Sequence, residues 1–305
     1  MKAGGSRWFS RFMMQNNELA EKIKLSIEDV SIPLWFPNLT PHLAEIGWQE
    51  LKKEFGLTSS NYGTARILSG DINAPRSVFP FKDKSGNPPF SIELLPKELT
   101  DNYSDKQIDF YNAAELTEQP ILDCLTDAIE LIKAVPSLSE SVFTLAKSLH
   151  LIKLDDDTYD VSFSEPQLPF SIFVSIPKNR VKADSLRVAE AIVHEAMHLQ
   201  LSLIEKVIPL VNSNKESFYS PWKDEHRNST GILHALYAFR VIESFYQHLQ
   251  LKQYISPLDL DFIKKRQSEI LRQTIEIKEF SRSPDLTDLG LQIAKRLLDY
   301  KILPY

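Results

Sequence analysis

The sequence predicts a mainly α protein with a small β-sheet, an α+β fold. Apolar residues recur at helical spacing over most of the 305 residues. Only one stretch, "LPFSIFVSIP" at 168–177, is short, β-branched, aromatic and bounded by prolines, the pattern of a strand. The balance of 43% hydrophobic and 25% charged residues is that of an ordinary globular chain with a sizeable core.

Taken in order, residues 7–24 and 41–55 carry helical periodicity around a Pro-containing stretch at 31–41. Residues 56–103 are richer in Gly, Pro and Asn. Within them "SVFPFKDKSGNPPFSIELLP" suggests a loose hairpin around Ser85, Gly86 and Asn87. Helical pattern returns over 104–150, broken near Pro120 and Pro136. The prolines of the 168–177 strand suggest an edge position. "KADSLRVAEAIVHEAMHLQLSLIEKVI" then reads as one helix, with Asp184 as N-cap and Pro209 as terminator. Residues 212–226 are polar and turn-rich. Further helices are expected over 229–250, 257–281 and 284–301, with Asp285 near the start of the last. A provisional division gives a mainly helical region, 1–150, and a second region, 151–305, with one continuous domain as the alternative.

Composition narrows the partners. A net charge of -6 gives no overall electrostatic case for nucleic acid or an anionic membrane, so neither is expected as a partner. The cluster Lys264, Lys265 and Arg266 reads as a solvated helix face. Cys124 is the single cysteine and fits a core position, without a disulfide, in a reducing cytoplasmic compartment. There is no apolar run long enough for a membrane span, and the N-terminus lacks the apolar core and cleavage site of a secretory signal.

The chemistry concentrates in "VHEAMHLQLSLIEK", 193–206. His194 and His198 are four apart, so on a helix their imidazoles lie on one face and can share a metal ion. Glu195 is rotated by about a hundred degrees, beside the ion without ligating it. The flanking residues are apolar, and two buried imidazoles without partners are costly. The alternative is a pair of inert histidines in a helix interface. A third ligand must come from elsewhere. Glu205 looks too far along the same helix, His248 sits near a polar helix end, and His226 lies in a loop. His234 ranks first, because it stands among Leu233, Leu236, Tyr237 and Phe239, where a histidine needs a reason. Glu243 ranks second and completes the two-His, one-Glu set of hydrolytic zinc enzymes. Arg227, seven residues before His234, shares its face if the helix starts early, and its guanidinium can clamp a carboxylate. Trp222 is expected to pin its loop onto the core.

Three segments, "SFSEPQLPFSIFVSIP", "AEAIVHEAMHLQLSLIEKVIPLV" and "YSPWKDEHRNSTGILHALYAF", resemble the HEXXH-motif domain family, also described as α-ketoglutarate-dependent HExxH-type peptide β-hydroxylases. The match covers about 163–246 in the order strand, HExxH helix, Pro-Trp loop with arginine, second helix. The resemblance implies Fe(II) held by His194, His198 and His234, with Arg227 binding an anion and a zincin-like helix–helix arrangement. It further implies 2-oxoglutarate and O2 as co-substrates and a ribosomally synthesised precursor peptide hydroxylated at a β-carbon, which makes 151–305 the HExxH metal-binding catalytic region and 1–150 a candidate for peptide or leader recognition. Three neutral ligands depart from the common set of two histidines and a carboxylate. The competing reading is a zinc metallopeptidase, Zn(II) replacing iron and Glu195 serving as general base. A peptide-binding scaffold with a structural metal is disfavoured by the lack of cysteines.

Overall fold

The computed structural model describes residues 17–154, 161–251 and 255–300. Helix α1 covers 17–28. It is followed by α2 (Thr40–Phe55), α3 (Thr64–Ser69), α4 (Lys97–Thr100), α5 (Gln119–Lys133) and α6 (Pro136–Leu145). The C-terminal half holds α7 (Asp184–Val207), α8 (Ser229–Gln250), α9 (Pro257–Glu276) and α10 (Asp288–Asp299). Strands β1 (Ser77–Phe79), β2 (Ser91–Leu94), β3 (Ser148–Lys153), β4 (Ser162–Phe163) and β5 (Ser171–Ile176) form one sheet in the order β1-β2-β3-β5-β4. A separate hairpin pairs β6 (Ser217–Ser220) with β7 (Glu225–Asn228). The chain is thus mainly α with a small mixed sheet, as expected.

The centre of the molecule is α7. Apolar residues occupy most of its circumference, the pattern of a helix enclosed on nearly all sides. It packs on α8, α5, α6, α2 and strand β5. Strands β3 and β5 run parallel in register from Ser148↔Ser171 to Lys153↔Ile176. Both are buried, as parallel strands covered on two faces must be. Leu149, Leu151, Ile172, Val174 and Ile176 join the main core with α5 and α7. Ile152 and Phe173 point the other way, into a second cluster with Leu51, Tyr103 and Phe170. The main core draws on residues from Leu19 to Leu297, and the division proposed at residue 150 falls inside β3.

Several local expectations are corrected. The 168–177 stretch is a strand, but an interior one between β3 and β4. Its prolines, 169 and 177, lie outside Ser171–Ile176 and remove no ladder donor. Residues 148–150, the end of the stretch expected as helix, belong to β3, whose pairing partner β5 is distant in sequence and so leaves no local signal. The polar 212–226 segment contains β6 and the start of β7. Prolines 120 and 136 open α5 and α6, in the first turn where their missing N–H is harmless. Asp184 is the first helical residue of α7, the cap position being Ala183. The α10 cap is Thr287; Asp285 instead accepts hydrogen bonds from Ser213, Ser229 and the Glu216 amide.

The helix expected over 7–24 begins its described part at 17, its earlier residues lying outside the described ones. Leu19, Ile23 and Ile27 anchor it in the core, and Arg296 donates to the carbonyls of Ser26 and Ile27 at 2.6 and 2.9 Å. Residue 301, the end of the last expected helix, is likewise outside. Cys124 is buried. Lys264 and Lys265 are exposed as expected, but Arg266 turns inward to Glu190 at 2.7 Å. Among the described residues, no helix is long and apolar enough to cross a membrane.

Close packing makes one glycine decisive. A Cβ at Gly290 in α10 would overlap the carbonyl oxygen of Leu210, which is itself tied to the Thr287 amide at 3.0 Å. Gly290→Ala is expected to destabilise the fold by about 1–3 kcal/mol through overpacking. Equilibrium urea unfolding checks this, and an unchanged midpoint would show that the contact is not rigid.

Candidate metal centre

Helix α8 runs antiparallel beside α7. Tyr246 reaches Glu190, Phe239 lies against His194, and His234 lies against both His198 and Glu205. Asn228 begins α8 by accepting the Gly231 amide at 2.9 Å, which sets His234 in the second turn. His194 and His198 follow from their four-residue spacing on α7.

The three imidazoles meet. His194 Nε2 and His198 Nε2 are 2.9 Å apart, and His198 Nδ1 and His234 Nδ1 are 3.3 Å apart. With bonds of about 2.1 Å, two imidazoles on one ion place their nitrogens about 3.0 to 3.4 Å apart. The first pair is therefore close to the spacing of two ligands on one cation. His198, however, turns opposite nitrogens to its two neighbours. Among the described residues, no three His, Cys, Asp or Glu side chains are gathered about a single point as a bound ion requires. The donor types fit a cation, and bringing all three nitrogens together takes a reorientation of the His198 or His234 ring. Burial, reinforced by Arg266 and Lys223, lowers the His194 pKa to about 3. Burial and the neighbouring His194 and His234 hold His198 well below its usual value. Both rings are thus neutral, the form in which imidazole ligates a metal.

The groups around the histidines are equally specific. His234 Nε2 faces Glu205 Oε2 at 2.8 Å, leaving its Nδ1 toward His198. Glu205 was set aside in the sequence because it lies two turns beyond His198. It does not need to reach His198, since the antiparallel α8 brings His234 to it. A carboxylate on the far nitrogen of an imidazole fixes the tautomer and orientation of a ligand. Glu195 is buried, and both its oxygens are occupied: Ser162 donates at 2.6 Å and Ser164 at 2.8 Å. Burial pushes its carboxyl up to about 7 against those two donors. Ser162 lies on the edge strand β4, and Ser164 follows it. Neither was legible as functional, and only their place in the strand-to-helix segment hinted at it.

Arg227 stands on β7 rather than on α8, so it does not share a helix face with His234 as expected. It nonetheless lines the same cleft, because Gly231 lets its guanidinium lie across the start of α8. Glu243 is removed from the site. Nine residues turn a helix by two and a half turns, placing it opposite His234. There it is buried against Arg240, which also donates to the Leu297 carbonyl. His226 is exposed on β7, while His248 sits half-buried, edge-on to Trp35 at 5.4 Å. Trp222 stacks on Phe239 at 5.2 Å and holds its loop to α8 as expected.

His194, Glu195, His198, Glu205, Arg227 and His234 all line one open cleft of about 700 Å³. No protein-family model matches the chain, and no curated protein matches it.

The serine pair around Glu195 generates a stability test. Ser162→Ala with Ser164→Ala leaves a buried carboxyl without either donor. The double variant should lose about 1–3 kcal/mol per missing partner. Thermal and urea unfolding measure the loss, and wild-type stability would mean that Glu195 finds water or turns into the cleft.

Proposed function

We propose that this protein is an Fe(II)- and 2-oxoglutarate-dependent oxygenase that hydroxylates a side-chain β-carbon in a ribosomally synthesised peptide, as in the HEXXH-motif domain family it resembles. The observation that carries the reading is the gathering of His194, His198 and His234 in a cleft with room for a co-substrate and a peptide segment. In this reading α7, α8 and the edge strand β4 make a zincin-like arrangement around the cation. His194, His198 and His234 would hold it, His234 through Nδ1, the nitrogen that Glu205 leaves available.

Iron held there would supply the activation of O2 that couples the oxidative decarboxylation of 2-oxoglutarate, to succinate and CO2, to hydroxylation of the peptide carbon. The protein's own groups prepare that event. Glu205 fixes the His234 ring. Arg227 offers a guanidinium to a carboxylate of the co-substrate, the bidentate pairing for which arginine is suited. The buried apolar residues behind the histidines keep water from that side of the site. A reducing cytoplasm suits both a ferrous centre and the unpaired Cys124.

A zinc peptidase needs Glu195 free to take a proton from water. The two serine hydroxyls on its oxygens favour a supporting role in place of a base. The same variant separates the two chemistries. Anaerobically prepared Fe(II) protein should convert 2-oxoglutarate to succinate on exposure to O2, faster with a peptide substrate. Glu195→Gln should retain metal and part of that turnover. Succinate formation absent from the wild type, together with peptide-bond cleavage that Glu195→Gln abolishes, would establish the peptidase.

A further inference from the structure

We propose that the free edge of strand β4 binds a segment of the peptide substrate as an added β-strand, through the backbone of Ser162 and Ser164. The proposal deepens the reading above and rests on it in one respect: the occupant of the cleft is a peptide.

The pairing of β4 with β5 decides which way its backbone groups point. The Ser175 amide donates to the Val161 carbonyl at 2.8 Å, and the register continues through Ser162↔Val174 and Phe163↔Phe173. In an antiparallel ladder, bonded pairs alternate with non-bonded ones. Val161 and Phe163 therefore turn bonding groups to β5, and Ser162, between them, turns its N–H and C=O away. Ser164 follows in the same phase, since its hydroxyl reaches the same Glu195 carboxylate as that of Ser162. Strand β4 ends the sheet, and among the described residues no hydrogen bond occupies the amide or carbonyl of either serine.

This edge is held in place from both faces. On one face the two hydroxyls pin it to α7 through Glu195, and on the other the Phe163 ring stacks on Phe173 at 4.4 Å. The cleft continues past His194 and His198 into a second lobe of about 730 Å³. Ser162, Phe163 and Ser164 line the first lobe, and Val161 and Ser162 line the second. The edge thus runs along the cleft, beside the histidines. Strand β1, the opposite edge of the sheet, lines neither lobe.

Unpaired donors and acceptors repeating about every 7 Å match an extended polypeptide backbone. A peptide lying there exchanges hydrogen bonds with Ser162 and, two residues on, with Ser164. Its side chains alternate across the plane of the sheet. Those on the side of the serine hydroxyls point to α7, which carries His194 and His198, and their neighbours point away. Every second β-carbon is thereby offered to the histidines, and main-chain bonds hold it whatever the flanking sequence. A two-residue strand is a weak template for aggregation, which is how an open edge is tolerated.

The test uses the full chain without iron or 2-oxoglutarate, and a fluorescein-labelled peptide of alternating threonine and valine. N-methylation at every second residue blocks one edge of the peptide and leaves the other free, while methylation throughout blocks both. By fluorescence anisotropy the half-methylated peptide should bind at least about tenfold more tightly than the fully methylated one. Ser164→Pro removes an outward N–H and no bond to β5, so it should weaken the half-methylated peptide about fivefold or more. Ser164→Ala, which loses the hydroxyl alone, should stay within about twofold of the wild type. Amide hydrogen exchange gives a second reading on the unaltered protein. The Ser162 and Ser164 amides should exchange faster than that of Phe163, and the half-methylated peptide should slow them. The proposal is overturned if the fully methylated peptide binds as tightly, or if Ser164→Ala and Ser164→Pro weaken binding equally. It is also overturned if the two serine amides are already protected without peptide. Because no metal is present, failed succinate formation leaves this result standing. Conversely, failed strand addition with intact succinate formation moves the peptide off this edge and spares the oxygenase.

Discussion

A helix enclosed on nearly every side can carry polar groups only if each is answered by a partner, and α7 is built on that constraint. Gln200 on its inner side donates to the Trp35 carbonyl at 2.9 Å and to Thr40 at 2.8 Å, and accepts from Tyr237 at 2.5 Å. These bonds clamp α7 to the N-terminal segment and to α8. Glu195 is answered by two serines at the sheet edge. Glu190 is answered by Arg266 and Tyr246. On the remaining face His194 and His198 are answered by each other and by a third imidazole, a set whose most economical common partner is a cation. An unpaired polar group at this depth costs several kcal/mol less the relief that water provides, so the arrangement needs a reason.

The same packing divides the labour of the helix. The inner face, with Gln200 and the apolar residues toward α5 and β5, makes the site rigid. The outer face presents His194 and His198 to an open cleft. Glu205 joins the two tasks, since it belongs to α7 but holds His234 of α8. Movement of α8 relative to α7 would therefore change the distance of His234 from both His194 and His198 while leaving those two in place. Arg227 and Lys223, entering from the β6–β7 hairpin region, add positive charge to a cleft in an otherwise acidic molecule.

Much of this was legible in the residues. The spacing of His194 and His198 put their rings on one face, and His234 stood out because a histidine among leucines and aromatics needs a partner. Helix positions from 40 to 55, 184 to 207 and 229 to 250 followed from periodicity and turn residues. What escaped was non-local. The β3–β5 pairing joins segments separated by β4, and six alternating residues are too short to distinguish strand from helix. Glu205 was judged by its distance from His198 along α7, whereas its partner lies on the neighbouring helix. The Ser162 and Ser164 contacts with Glu195 depend on where an edge strand passes. Arg227 shares a helix face with His234 only if the helix starts early, and it starts at Ser229; Glu243 loses its candidacy through helical phase, which nine residues invert.

His194, His198 and His234 are proposed to hold one divalent cation between them. Anaerobic titration of the metal-free protein with Co(II), followed by visible absorbance, decides this. Saturation is expected at a single equivalent, with a loss of affinity beyond about a hundredfold in His234→Ala, more than removal of a supporting carboxylate produces. A wild-type protein that takes up no ion, or a His234→Ala variant that binds it as tightly, would show that the three imidazoles do not form a metal site.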